Sequence, residues 1–363
     1  MWIWTGIAAA IVIGASIAII AWLHSKRVAR ASMLAATSTG VFPAVRRDEA
    51  ETAIPFQSDA IVQINEALYA KAFGVARFDY QILGKHEVVL AAVKSSIGTI
   101  MQKQNYLPRR PTSLPKLLRA INSGESKRGE IVRLILQDPV LAGNVLKRAN
   151  SVFYRQQSNE VVESVDRAVV LMGSEGLRAP VAMSVMQPVF RIPRGIFEQF
   201  APASWEQAQR TATAAEVFAQ HHKIGDSFVA NLLGLLGGLG RMVVFRLTLD
   251  KYKTQSNILP RAEVYIRAMQ DHGQEVTRMV AAAWEMSPQF LSAIDEQISQ
   301  VAPNRMTPLA RTLYYANLTG ALALLHRADQ YSETDAKILL RAHGIDEASL
   351  AKIWTAAVNA ELN

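Results

Sequence analysis

Residues equipped for chemistry are few and scattered along this chain. His221 and His222 stand side by side with Asp226 close behind, His272 is followed further on by Asp295 and Glu296, and Arg241 ends a run of glycines. Histidines and carboxylates ligate metals, and a metal held by several of them with one open position lowers the pKa of bound water enough for hydrolysis. Adjacent helix residues point about 100° apart, so His221 and His222 are expected to mark a solvated helix end rather than to share an ion. His272, Asp295 and Glu296 read as exposed helix positions. Arg241 offers the donor fork that meets a phosphate. Arg241 and His272 are the candidate ligand-binding residues; no catalytic residue, metal set or cofactor is assigned. Ser151 has no identifiable base beside it and so is not an activated nucleophile. Cysteine is absent, which excludes disulfides, thiolate catalysis and Cys-built zinc or iron–sulfur sites. No phosphate-cradling glycine loop, GxSxG elbow or HExxH pair occurs.

The elements that would position these residues are helices. Asp226 to Leu247, DSFVANLLGLLGGLGRMVVFRL, is the most apolar stretch beyond the N-terminus. Apolar on all faces from Phe228 to Val244 and capped by Asp226, it predicts a helix at the centre of a helical domain. Gly234, Gly237, Gly238 and Gly240 each cost a helix about 1 kcal/mol relative to alanine. They predict a packing reason, with Gly237 and Gly238 letting another helix approach. Periodicity gives two helices over Ala60–Phe73 and Glu87–Met101, then Glu130–Leu136 and a helix opened by Asp138 and Pro139. Asn150 and Ser151 satisfy backbone groups at its end. Ser164 caps the next helix, Gly173 closes it in a left-handed turn, and Ser174 starts another. Ser204 and Gln207 form a capping box before WEQAQRTATAAEVFAQHH. Ala262 to Ala283 is helical with Gly273 as a break. In the tail, Ser332 with Asp335, Gly344 and Asp346 mark a start, a stop and a second start. Strand signals are scarce.

Trp2 to Leu23 carries no charge over 22 positions, enough for a helix to cross a bilayer. Trp2, Trp4 and Trp22 sit where rings favour headgroups, and His24, Lys26, Arg27 and Arg30 follow, which predicts a single-pass inner-membrane anchor with the remainder cytoplasmic. Residues 1–24 are read as the anchor and 25–58 as a juxtamembrane linker, whose Lys26, Arg27 and Arg30 face anionic lipid. Residues 59–106 form accessory helices, 107–300 the main domain and 301–363 a C-terminal helical extension. The net charge of +8 permits anionic partners but points to no specific nucleic acid.

DPVLAGNVLKRANS, Asp138 to Ser151, resembles the signature of the HDOD branch of the HD superfamily, and GLLGGLGR, Gly234 to Arg241, resembles the superfamily helix that reads GLLHDIGR. Leu107 to Leu118 resembles the opening of HDOD domains. His272 to Ile294 resembles the stretch leading to a Trp-x-Leu-Pro turn, with Pro288 one residue later than the pattern. The resemblance spans Leu107 to Gln297 and implies an all-α, HD-superfamily-like helical bundle. Where catalytic relatives place a metal-binding His and Asp, this chain has Gly237 and Gly238. Gln207 stands where relatives commonly carry a His two residues after the Trp, here Trp205, and Asp295, Glu296 and Gln297 stand where relatives approach a pair of histidines. The resemblance therefore implies a bacterial signalling or scaffold module, tethered to the membrane, non-catalytic, and acting on a protein partner. The alternative is a degenerate metal-dependent phosphohydrolase that recruits His221, His222, His272, Asp226, Asp295 or Glu296, or a nucleotide-sensing domain with Arg241 at its pocket.

Overall fold

The computed structural model describes residues 59–100, 128–137, 139–150, 154, 161–186, 195–255 and 257–360, and every regular element among them is helical. The anchor, the linker with Lys26, Arg27 and Arg30, the lead-in at 107–127, Asp138 and Ser151 lie outside the described residues.

Two helices, α1 (Asp59–Phe73) and α2 (Lys85–Gly98), precede the main domain. They place Ile64, Leu68, Phe73, Val89, Val93 and Ile97 in the same apolar core as the helices that follow. The turn between them is tied down from a distance. Arg261 donates to the carbonyls of Gln81 (3.1 Å) and Asp79 (2.7 Å), while the Glu263 carboxylate accepts from the Asp79 N–H at 2.9 Å. Burial alone would raise the Glu263 carboxyl, but the N–H groups of Asp79 and Glu263 and the Arg261 guanidinium outweigh it and hold it below its ordinary 4.5. A depressed carboxylate stabilises the fold above its unfolded value, and that contribution is lost as pH falls through the folded value. Melting curves of wild type and Glu263→Gln should therefore differ most at neutral pH and converge as pH drops below about 4. A gap that widens on acidification would contradict the assignment.

A smaller cluster forms on α3 (Arg128–Leu136), α4 (Pro139–Ala149) and α5 (Val165–Met186), built on Ile135, Val145, Ala168 and Leu177. Asn150 closes it. Its side chain donates to the carbonyls of Leu146 and Val162 and accepts from the Val162 N–H, so it satisfies both its own helix end and an extended segment returning beside it. Gly173 sits at φ 63° and ψ −177°, a positive-φ conformation that favours glycine but is extended instead of the left-handed turn expected, and it kinks α5 there. The second half of α5 carries Ala182 and Met186 into the main core.

The main core surrounds α7 (Ser227–Lys253), flanked by α6 (Phe200–His222) on one side and α8 (Ala262–Ala283) on the other. Helices α9 (Pro288–Ile298), α10 (Pro308–Arg327), α11 (Glu333–Ala342) and α12 (Glu347–Val358) complete the bundle, with α10 and α12 against α6. Local cap chemistry sets many of the ends. Asp226 accepts from Phe228 N–H, Ser287 from Phe290, Ser332 from Asp335 and Asp346 from Ser349. Among the described residues α7 alone is long and apolar enough to cross a membrane, yet 83% of its most apolar window is buried by protein. It is a core helix.

Two expectations are corrected here. Ser204 and Gln207 do not cap α6, which begins a turn earlier at Phe200. Starting there buries Phe200 against Phe245, their rings stacked 4.3 Å apart, and this packing overrides the local capping signal. Gly273 does not break α8, which runs through it. The residue is needed for a close helix crossing.

Candidate functional site

Three glycines bring backbones into contact, and one does not. A Cβ on Gly234 would lie 2.7 Å from the Ala212 Cα of α6; one on Gly240 would lie 2.1 Å from the Gly273 carbonyl oxygen and 2.2 Å from Thr277 Oγ1 of α8. On α10, Gly320 meets Thr211 of α6 in the same way, with Thr211 Oγ1 at 2.5 Å. Gly237 is different. The nearest atom to its missing Cβ is Asn317 Oδ1 at 4.0 Å, so the close approach expected at this position occurs at Gly234 and Gly240 instead. Helices α6 and α8 grip α7 on either side of Gly237 and leave a gap there.

One turn on, Arg241 reaches a cavity of about 40 Å³ bounded by α1, α6 and α7, with Leu324 of α10 in its wall. Its polar lining is Asn65 and Tyr69 of α1, Ser204 and Gln207 of α6, and Arg241, with Leu68 and Phe200 among the apolar walls. The Arg241 Nη2 donates to Gln207 Oε1 at 3.2 Å. The stem of Arg241 lies over Gly273, whose missing side chain gives it room. Burial pushes the Arg241 guanidinium below its ordinary value, with Tyr69 opposing, and burial likewise pushes the Tyr69 phenol up, with Arg241 opposing. Among the described lining residues there is no carboxylate and no imidazole. Such a wall can donate hydrogen bonds to an anion but offers a metal no strong ligand.

The other candidates are dispersed. His272 is not among the cavity's lining residues; its Nδ1 is buried without a hydrogen-bond partner, 3.7 Å from a Glu275 carboxylate oxygen. Asp226 caps α7 and takes both its oxygens to Arg178 Nη1 at 3.0 Å. Asp295 pairs with Arg278, and Glu296 accepts from the Thr307 N–H at 2.7 Å at the start of α10. Gln297 is buried and donates to the Ala310 carbonyl. These residues serve helix ends and helix junctions.

His221 and His222 do converge, contrary to the expectation from their adjacency. They offer ligand atoms that lie, with one from Asp346 of α12, within 4.8 Å of one another. The set is committed elsewhere. His222 Nε2 lies 2.6 Å from Ser349 Oγ, Asp346 caps α12, and the Lys352 ammonium stands 3.1 Å from His221 Nδ1, where it opposes a cation. Gln207 and His221 are four turns apart on α6, about 20 Å by helical rise, so this group is not part of the Arg241 cavity.

Sequence reasoning found Arg241 and Gln207 but missed Tyr69, Asn65 and Asp346. All three come from helices remote in the chain from the residues they join, and no local spacing marks them.

Comparison with known proteins places this geometry. One curated relative, an uncharacterized protein of Treponema pallidum (strain Nichols), is 27% identical over 234 residues, 61% of this chain; the chain spans 44% of that relative's length. A crystal structure from Shewanella amazonensis SB2B, provisionally named a metal-dependent phosphohydrolase, superposes with a TM-score of 0.54 at 13% identity, over 77% of this chain and 99% of that one. At that identity the likeness speaks for the fold alone. An HDOD domain protein of unknown function from Geobacter sulfurreducens matches at 16% identity with a TM-score of 0.49, over 76% of this chain and 99% of that one. The HDOD domain family matches residues 107–299, just over half of the chain and nearly the span the sequence motifs marked, and the chain belongs to that family.

Proposed function

We propose that the chain is a non-catalytic signalling or scaffold module, held at a bacterial inner membrane by Trp2–Leu23, with its helical domain cytoplasmic and acting on a protein partner. The observation that carries this reading is the lack of metal ligands both at Gly237 and in the Arg241 cavity. Where hydrolytic relatives hold a metal, Gly237 has no ligand atom, Gln207 offers a neutral amide already bonded to Arg241, and the Arg241 cation repels a dication. Water activation needs several convergent ligands and an open position, and none of the candidate carboxylates or histidines reaches this cavity. With no reacting group in the cleft, what the domain offers is its surface. Lys26, Arg27 and Arg30, just beyond the anchor, would hold anionic lipid at the membrane face.

The test uses the intact protein in detergent, incubated with manganese, iron and zinc, stripped of excess metal, and assayed by elemental analysis and for phosphoester hydrolysis. Wild type should retain less than stoichiometric metal and show no hydrolysis. A full equivalent that survives replacement of both His221 and His222 by Ala, together with turnover of a phosphodiester, would sink the non-catalytic reading. Those two substitutions remove the Asp346 group as an alternative address for the ion.

A further inference from the structure

We propose that the cavity between α1, α6 and α7 is a binding site for a single oxyanion group of the phosphoryl type, with Arg241 as its anchor. The proposal goes beyond the protein-interaction reading and does not depend on it.

The charge balance of the cavity is the first ground. A guanidinium has five N–H donors and is charged at any physiological pH. Arg241 gives one hydrogen bond, to the neutral Gln207 Oε1, and no ion pair links it to a carboxylate among the described residues. Other arginines with little exposure have more partners: Arg210 has Glu206, Arg178 has Asp226, and Arg311 spends its donors on the Pro303 and Met306 carbonyls. A half-buried charge without a counter-charge loses hydration that an arriving anion would replace.

The lining is the second ground. Beside Arg241 stand a phenol, a hydroxyl and a side-chain amide, Tyr69, Ser204 and Asn65, each able to donate to an oxyanion. Among the described lining residues no acidic group would repel one. Gln207 takes one of the two N–H groups of Nη2, and the other still pairs with its neighbour, Nη1 or Nε, along one edge for the bidentate contact that phosphate and sulfate favour.

Size sets the ligand class. The enclosed part, about 40 Å³, has room for one small group. The occupant is a free oxyanion or the phosphoryl end of a larger molecule whose body stays outside. Because Asn65, Leu68, Tyr69 and Ala72 of α1 form one wall, and α1 lies outside the residues matched to the family, a bound anion would latch that helix onto the domain.

Inorganic phosphate is the first probe, measured by equilibrium dialysis against the intact protein in detergent, with hydrogen exchange followed over 59–73. One phosphate per chain is expected, with slower exchange in α1. Arg241→Met should weaken binding by about tenfold or more, the loss of one charged hydrogen-bonding partner. Gln207→Glu would give Arg241 an internal carboxylate in the place of the Gln207 oxygen, so it should abolish binding without lowering the melting temperature. This variant keeps the test open should Arg241→Met fold poorly. Phenyl phosphate separates the sources: competition at similar concentration indicates an end-on monoester, and exclusion indicates the free ion. No saturable phosphate binding by wild type, or binding left unchanged by Gln207→Glu, overturns the proposal.

Discussion

Gly240→Ala is expected to destabilise the protein by about 3 kcal/mol, at the upper end of overpacking costs, while Gly237→Ala, three residues away on the same helix, should be neutral or gain up to about 1 kcal/mol. The chemical change is identical, so the difference isolates the surroundings. At Gly240 the new methyl carbon would sit 2.1 Å from a carbonyl oxygen and 2.5 Å from the Thr277 backbone nitrogen. Neither is the end of a side chain that can rotate away. Helix α8 would have to draw back from α7, loosening contacts around Val276 and Val280, both fully buried. The helix-propensity gain from removing a glycine, about 1 kcal/mol, is too small to offset this. At Gly237 that gain stands nearly alone, since the nearest atom is 4.0 Å off. Thermal unfolding of the two variants decides the matter. At about 2–4 °C per kcal/mol for a domain of this order of size, they should melt several degrees apart, and coincident curves would refute the crossing described for α7 and α8.

This contrast also shows where sequence reasoning stops. Four glycines in an apolar helix announce that something packs closely, and that inference was sound. Which glycine meets a neighbour depends on where α6 and α8 cross α7, which one helix's periodicity does not contain. The capping box at Ser204 fails for a related reason: its pattern is local, but the helix start is decided by Phe200 meeting Phe245 across the core. By contrast Asp226, Ser332 and Asp346 cap as read, because a side-chain oxygen and an N–H two or three residues on make a self-contained unit. The site divides along the same line. Arg241 and the missing ligand at Gly237 are visible in the motif, whereas Tyr69 and Asn65, which line the Arg241 cavity, arrive from a helix before the family's own boundary. The His221, His222 and Asp346 group is invisible for the same reason, since a helix end meets a helix cap far along the chain.

Arg210→Met is expected to cost about 3–5 kcal/mol, the range for removing one partner of a buried ion pair, and to free the C-terminal helix first. Arg210 is 2% exposed and fully engaged at both ends of its guanidinium. Nε and Nη2 donate to Glu206 Oε1 at 3.0 and 2.8 Å, and Nη1 donates to the carbonyls of Ala357 (2.7 Å) and Val358 (2.9 Å). The last carbonyls of a helix have no partner within it and carry its negative dipole end, so a cation there both satisfies and neutralises them. Methionine fills much of the same volume and so separates the polar loss from a cavity. What it leaves is a carboxylate and the Val358 carbonyl without the Arg210 donors, and the Ala357 carbonyl with backbone donors alone, the Ala360 N–H at 3.4 Å among them. The Glu206 side chain is 26% exposed and can recover some solvation, which places the expected value toward the lower end. Arg210→Lys should recover only part of the loss, because one ammonium cannot span Glu206 and the α12 carbonyls together. Because α12 is held on α6 through this residue and through Ile353 and Trp354 in the core, hydrogen exchange over 347–360 should accelerate in Arg210→Met before the rest of the bundle responds. Uniform acceleration across α6, α7 and α12 would instead mean that Arg210 supports the whole core and that its bonds to α12 hold no separate unit.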